Sequence, residues 1–230
     1  MLYNLCIDEK SKNVERVVIN DKCKTFFSDW KQGVFYYDNV VEASVLHEKN
    51  NLPIIDTIFD ATSSRKLLKK YVQLLGGFPI VLKLMNGSHG VGVVKVDTFD
   101  SLFSIADVFV KKDLFFIIRK YIDYKEHARM IVLGSEVISS IEYKRASNDF
   151  RSNIGKKPEV YEKKYSREMQ ELAVQATNIL GFEFGGVDLL IDKDGSVYIA
   201  EVNFPCFFPR AQLKTGDDIS GLMIDYLLNK

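Results

Sequence analysis

Apolar and polar positions alternate with a period of two in some stretches of the chain and with a period near 3.6 in others. The first pattern predicts strands over residues 2–7, 14–19, 34–37, 80–84, 91–96, 114–119, 128–133 and 136–143. A further pair, 186–191 and 197–202, is separated by Asp192-Lys193-Asp194-Gly195, a strong hairpin signal. The second pattern predicts helices over 39–49, from Asp60 or Thr62 to about 75, and from Asp97 or Thr98 to about 110. Two more run from a Ser166 cap to 180 and over 219–228, and Gly76-Gly77 and Gly181 stop the helices before them. Strand pairs mixed with long helices, without strict β-α-β alternation, predict an α+β protein with mainly antiparallel sheets.

The hairpin at 186–202 carries polar side chains inside apolar strands: Asp188, Glu201 and Asn203. A two-residue loop at Lys193-Asp194 would set Asp188 opposite Ile199 and put Asp188, Ile199, Glu201 and Asn203 on one face. A bulge would move that register by one residue and turn the side chains to the other face. Two carboxylates brought together in apolar surroundings repel unless a cation sits between them. Their oxygens and an amide oxygen are hard ligands, suited to Mg²⁺ rather than zinc. The ordinary alternative is a row of polar residues facing solvent.

Composition narrows the choice of partner. The 230 residues suffice for one large domain or two small ones, and Lys+Arg equals Asp+Glu at 31 each, so nucleic acid is not the expected partner. Three cysteines without a C-x-x-C pair predict a reducing compartment. The N-terminus has no basic region leading into an apolar run, and no apolar stretch reaches 18 residues. These features predict a cytoplasmic protein without a membrane partner.

Two more segments carry candidate chemistry. In "PIVLKLMNGSHGVGVVKV", Lys83 sits in an apolar strand just before Gly87, Ser88, His89, Gly90 and Gly92. Glycines let backbone N–H groups approach an anion closely, and the lysine adds a point charge. The run leads into a strand, so it is neither a Walker A loop nor a Rossmann turn. In "NDFRSNIGKK", Arg151 and Asn153 combine a forked guanidinium with an amide, suited to a phosphoryl group or a carboxylate. Each segment alone also reads as a plain turn or a surface loop.

Taken together, "GGFPIVLKLMNGSHGVGVV", "DFRSN", "GGVDLLI", "AEVN" and "TGDDISGLMIDYL" resemble, in order and spacing, the RimK-like glutamate-ligase branch of the ATP-grasp superfamily. The resemblance runs from about residue 52 to 228 and implies the ATP-grasp fold, two α+β subdomains with mainly antiparallel sheets gripping ATP between them. It divides the chain into a reduced N-terminal segment (1–52), a central subdomain with the glycine-rich loop (53–122) and a C-terminal subdomain with the Mg-binding hairpin (123–230). It implies that Lys83 contacts the phosphates, that Gly87, Ser88, His89, Gly90 and Gly92 cover the nucleotide, and that Lys120 and Tyr121 form the hinge beside adenine. Arg151 and Asn153 would reach the γ-phosphate and the reacting carboxylate, and Asp188, Glu201 and Asn203 would hold two Mg²⁺, with Mn²⁺ as an alternative ion. Arg129, Lys144 and Arg145 are candidates for gripping a substrate carboxylate.

The activity implied is ATP-dependent ligation of a carboxylate to an amine through an acyl-phosphate, adding glutamate or another amino acid to a peptide, protein or small molecule. Side-chain cross-linking of a ribosomal peptide and a non-catalytic nucleotide-binding module are the rival readings, and a homo-oligomer is compatible with either. The chain departs from the family pattern at three places. Residues 39–44 lack the lysine that contacts ATP, Lys120 and His127 stand where the family shows acids, and "FPCFFP" replaces a small-residue segment. Phe204, Phe207 and Phe208 would either wall the acceptor pocket or pack the core.

Overall fold

The structure, a computed structural model, describes residues 24–28, 40–85, 90–145, 149–152 and 159–230. The strands expected at 2–7, 14–19 and 34–37 lie outside those residues, as do Gly87, Ser88, His89 and Asn153. The chain divides into two compact units. The smaller comprises Ile55–Tyr124 and Arg145–Pro158; the larger comprises Met1–Ile54, Lys125–Lys144 and Glu159–Lys230.

The smaller unit is built on a four-stranded antiparallel sheet of order β1-β4-β2-β3 (β1 Thr57–Ile58, β2 Ile80–Leu84, β3 Val93–Val96, β4 Phe116–Lys120). Alternation sends Ile80, Leu82, Val96, Phe116 and Ile118 to one face. There they pack on Leu68 and Val72 of α2 (Arg65–Leu74) and on Leu102, Phe103 and Ala106 of α3 (Phe99–Lys111). Each larger side chain so buried contributes roughly 1.5–3 kcal/mol. The Thr98 hydroxyl caps α3, accepting the Ser101 N–H at 3.3 Å. Helix α2 begins later than the sequence suggests, after Ser64, because Asp60 instead accepts from the Tyr71 hydroxyl. Gly76 and Gly77, at φ +86° and +101°, end it in a conformation other residues resist.

The larger unit holds a five-stranded sheet of order β7-β6-β5-β8-β9 (β5 Tyr124–Leu133, β6 Glu136–Tyr143, β7 Val160–Glu162, β8 Phe184–Asp192, β9 Val197–Asn203). Pairings β5–β6, β6–β7 and β8–β9 are antiparallel. One face (Ala128, Met130, Val132, Val187, Leu189, Ile199) meets Ala173 and Ala176 of α4 (Arg167–Asn178), whose small side chains let the helix lie close. The other face (Ile131, Leu133, Ile141, Phe184) meets Ala211 of α5 (Pro209–Thr215) and Ile219, Met223 and Leu227 of α6 (Ile219–Asn229). Helix α1 (Val40–Lys49) is tied to α4 by buried His47, whose Nε2 lies 2.8 Å from the Ala176 carbonyl oxygen.

The short β1, β7 and α5 carry too little periodicity to be read from sequence. Strand β5 starts at Tyr124, before the predicted 128, because its polar start is stabilised sideways: Lys163 pairs with Glu126 at 2.6 Å and with Glu142 at 2.9 Å. Phe204 packs against the rings of Phe27 and Phe182 and Phe208 against Phe184, whereas Phe207 is exposed. The core is therefore the fate of two of the three phenylalanines.

Candidate functional site

The β8–β9 hairpin does not turn as the sequence predicts. Its loop has three residues, 193–195: the Asp192 N–H bonds to the Ser196 carbonyl at 3.0 Å, and Gly195 adopts φ +90°. The Asp192 carboxylate fastens the loop by accepting the N–H groups of Asp194 and Ser196. That displaces the register by one residue. A β-bulge then displaces it again, since Leu189 faces Ile199 but Asp188 faces Glu201. Ile199 turns to the opposite face and is buried beside Leu189, while Asp188, Glu201 and Asn203 share a face. The expected grouping of the three polar residues thus arises, without Ile199 and by another route. Beside the bulge, the Ile199 N–H is taken by the Pro53 carbonyl at 2.7 Å.

Asp188 is 4% exposed and surrounded by donors. Arg129 meets it with two parallel bonds, Nε to Oδ1 at 2.6 Å and Nη2 to Oδ2 at 2.7 Å. His127 Nε2 lies 3.2 Å from Oδ1, and the Asn203 amide nitrogen 3.4 Å from Oδ2. Burial alone would raise the pKa of this carboxyl, but Arg129 and His127 outweigh it and hold Asp188 well below the usual carboxylate range. The Arg129 guanidinium fits because position 186 is glycine: a Cβ there would stand 2.9 Å from Arg129 Nη1 and 2.8 Å from the Cys206 Cβ. Burial pushes the Cys206 thiol up to about 12, so it is no nucleophile at neutral pH.

Among the described residues, no three His, Cys, Asp or Glu side chains form a metal-ligand cluster. Asp188 and Glu201, opposed across the hairpin, with Asn203 beside them, still offer the oxygen donors a hard divalent ion takes. Such an ion would share Asp188 with Arg129.

The smaller unit carries a second polar set. Lys83 stands on the sheet face away from α2 and α3. Gly90 and Gly92 have φ +75° and +81°, and a Cβ on Gly92 would press within 2.9 Å of Leu84. Arg151 is fixed by Asp149, Nε to Oδ1 at 2.9 Å and Nη2 to Oδ2 at 2.8 Å, and Nη1 donates to the Gly90 carbonyl at 2.7 Å. This ion pair holds Asp149 below its ordinary value. The Lys120 side chain projects to the opposite sheet face from Lys83 and lies 3.5 Å from Asp56. The Tyr121 hydroxyl accepts from Arg145 at 3.1 Å, and Arg145 also reaches Asp123 at 3.3 Å. Lys144, in the larger unit, is exposed and paired with Glu159 at 3.2 Å.

Of the residues singled out in the sequence, the structure places Asp188, Glu201, Asn203, Arg129 and Lys144 in the larger unit, and Lys83, Gly90, Gly92, Lys120, Tyr121, Arg145 and Arg151 in the smaller, although Arg145 and Arg151 were expected with the C-terminal subdomain. The sequence reading missed Arg119 and Lys95, which share the face of Lys83. Alternation along β3 and β4 was the signal that could have found them.

A family model described as RimK-like ATP-grasp domain matches residues 42–227. A curated relative named "Probable alpha-L-glutamate ligase", from Aliivibrio fischeri (strain MJ11), is 32% identical over 162 residues, which cover 70% of this chain and 54% of that protein. The chain thus spans about half the length of the curated relatives it matches. Among solved structures, that of ATP-grasp ligase PsnB complexed with a minimal precursor covers 88% of this chain and 64% of its own at a TM-score of 0.70 and 16% identity. Biotin carboxylase from Campylobacter jejuni, in a β,γ-ATP complex, covers 94% of this chain and 51% of its own at a TM-score of 0.73 and 18% identity.

Proposed function

The chain belongs to the RimK-like ATP-grasp family and has its α+β fold, and on that premise we propose that it is an ATP- and Mg²⁺-dependent carboxylate–amine ligase. A carboxylate oxygen takes the γ-phosphoryl group of ATP, giving an acyl-phosphate and ADP. An amine then attacks the carbonyl carbon; the C–O bond to phosphate breaks, and the amine loses a proton as the amide forms. By its relatives' name, glutamate is the first amine to try.

The residues' roles follow from their chemistry. Lys83 and Arg151 are cations for the phosphates, and the Asp149 pair and the Gly90 carbonyl keep the Arg151 fork oriented. Asn153 assists at the reacting carboxylate, and the backbone about Gly90 and Gly92 covers the nucleotide. Asp188, Glu201 and Asn203 would hold Mg²⁺, and the ion would supply charge neutralisation during phosphoryl transfer. Arg129 keeps Asp188 ionised and oriented. Lys144 and Arg145 are the candidates for a substrate carboxylate.

The observation that carries this reading is the register that sets Asp188 opposite Glu201, with Asn203 on the same face. The test is the thermal unfolding midpoint with and without ATP–Mg²⁺, for the wild type and Glu201→Ala. Ligand at a hundred times its dissociation constant stabilises by about 2.7 kcal/mol, a shift of a few degrees. A Mg²⁺-dependent rise abolished by Glu201→Ala supports the reading; no rise with any nucleotide overturns it. A second reading, in which the substrate is a peptide whose side chains are cross-linked, draws on the fold likeness to PsnB, whose structure holds a peptide precursor.

A further inference from the structure

We propose that Asp149 sets the preference of the nucleotide site for a triphosphate over a diphosphate, acting through Arg151; the inference rests on the nucleotide-binding reading above. Asp149 Oδ1 accepts both the backbone N–H and the Nε of Arg151, each at 2.9 Å, and Oδ2 accepts Nη2 at 2.8 Å. One carboxylate thus fixes Arg151 by main chain and side chain together. Nη1 donates to the Gly90 carbonyl at 2.7 Å, which holds the guanidinium at its far end as well. The segment itself is anchored beside Arg151: the Tyr124 hydroxyl donates to the Phe150 carbonyl at 2.6 Å, and the Phe150 ring meets that of Tyr121 edge-on at 6.2 Å. All these residues belong to the smaller unit.

A guanidinium has five N–H groups. Among the described residues, Asp149 takes two and Gly90 takes one, which leaves one on each terminal nitrogen for a ligand. The Arg151 side chain is 28% exposed, so a ligand can reach them.

Position along the strands says which phosphate they meet. Lys83 stands opposite Val93, and one step outward the Leu84 N–H bonds to the Gly92 carbonyl at 2.9 Å. Gly90 lies beyond that bond, whereas Lys120 stands opposite Ile80 at the other end of β2. A nucleotide with its base at the Lys120 end and its inner phosphates at Lys83 therefore directs its terminal phosphate toward Gly90, where Arg151 is held. A diphosphate stops short of it.

Two effects compete when Asp149 is neutralised. Removing a negative charge near the phosphates would by itself strengthen their binding. Loosening the clamp weakens it, because the fork must then be ordered at the moment of binding. Asp149 is partly open to water, which screens the first effect, so the second prevails.

The experiment is calorimetric titration of the full chain with ADP and with adenosine β,γ-imidotriphosphate, both with Mg²⁺, on the wild type, Asp149→Asn, Arg151→Lys and the double variant. The two nucleotides differ in the terminal phosphoryl group, and the imido bridge prevents its transfer. Asparagine can still accept the Arg151 backbone N–H, so Asp149→Asn keeps the turn, but its amide cannot accept both bonds of the fork. The wild type is expected to prefer the triphosphate. Asp149→Asn should weaken triphosphate binding by about tenfold and leave ADP binding as it was. In the Arg151→Lys background Asp149→Asn should cost nothing further, since the group it acts through is gone. An equal loss for both nucleotides in Asp149→Asn would make Asp149 a structural residue of the turn, and unchanged or tighter triphosphate binding would make its charge the stronger effect; either overturns the inference, as do additive losses in the double variant. Equal wild-type affinity for the two nucleotides removes this inference while leaving the ligase reading standing, whereas binding of neither overturns both.

Discussion

Arg129 and Asp188 meet fork to fork in the interior of the larger unit, with side-chain exposures of 11% and 6% and bonds of 2.6 and 2.7 Å. A buried pair of this kind costs far more to break than to replace. Arg129→Met should destabilise the protein by about 3–5 kcal/mol, because it strands a buried carboxylate. The double substitution Arg129→Met with Asp188→Leu should recover most of that loss. Urea unfolding of the single and double variants measures both; equal losses would show that the pair is not the source.

Gly186 should tolerate no side chain. Gly186→Ala would push on Arg129 and on the Cys206 Cβ at once, and overpacking of this order costs about 1–3 kcal/mol. Adding Cys206→Gly removes one obstacle but not the other, so it should restore only part of the midpoint. Full restoration would mean that Arg129 yields freely.

Stability should depend on pH through His47. Burial lowers its proton affinity below the ordinary value of 6.5, although the bond to the Ala176 carbonyl acts the other way. The unfolded chain then binds a proton that the folded chain refuses, so the contribution is fully present above about pH 6.5 and declines as pH falls below it. His47→Gln should flatten this slope of unfolding free energy between about pH 7 and 5, the range in which histidine titrates. A slope unchanged by the substitution would count against the assignment.

Gly92→Ala combines two obstacles, a left-handed φ of +81° and the Leu84 side chain 2.9 Å away. Strain of this type costs about 1–3 kcal/mol. If the adjoining turn covers a nucleotide, Gly92→Ala should also weaken ATP binding, whereas Gly195→Ala, at a loop with no neighbour within 4 Å, should affect stability alone. Titration of both variants with ATP compares the two.

Long periodic elements were legible from the chain alone. Strands β2 and β6 lie where alternation puts them, and Thr98 and Ser166 cap α3 and α4 as their types suggest. What escaped was decided by contacts between distant positions. Nothing within 186–203 announces that Ile199 will give its N–H to Pro53, next to the bulge that turns Glu201 toward Asp188. Nor does the isolated stretch 116–120 reveal that Arg119 and Lys120 part to opposite faces with different partners, Thr57 and Asp56. Local pattern names the residue types; pairing partners decide where they point.

The three-residue loop and the bulge at the base of the same hairpin have a consequence for how this segment can change. Each is an odd offset, and two odd offsets make an even one. Deleting a single residue from either place would exchange the inner and outer rows of β9 between them, sending Glu201 into the core or Ile199 out of it. Deleting one residue from both would leave the rows as they are. Length variation in this hairpin should therefore come in compensated pairs, and a lone insertion or deletion should be the change it survives least.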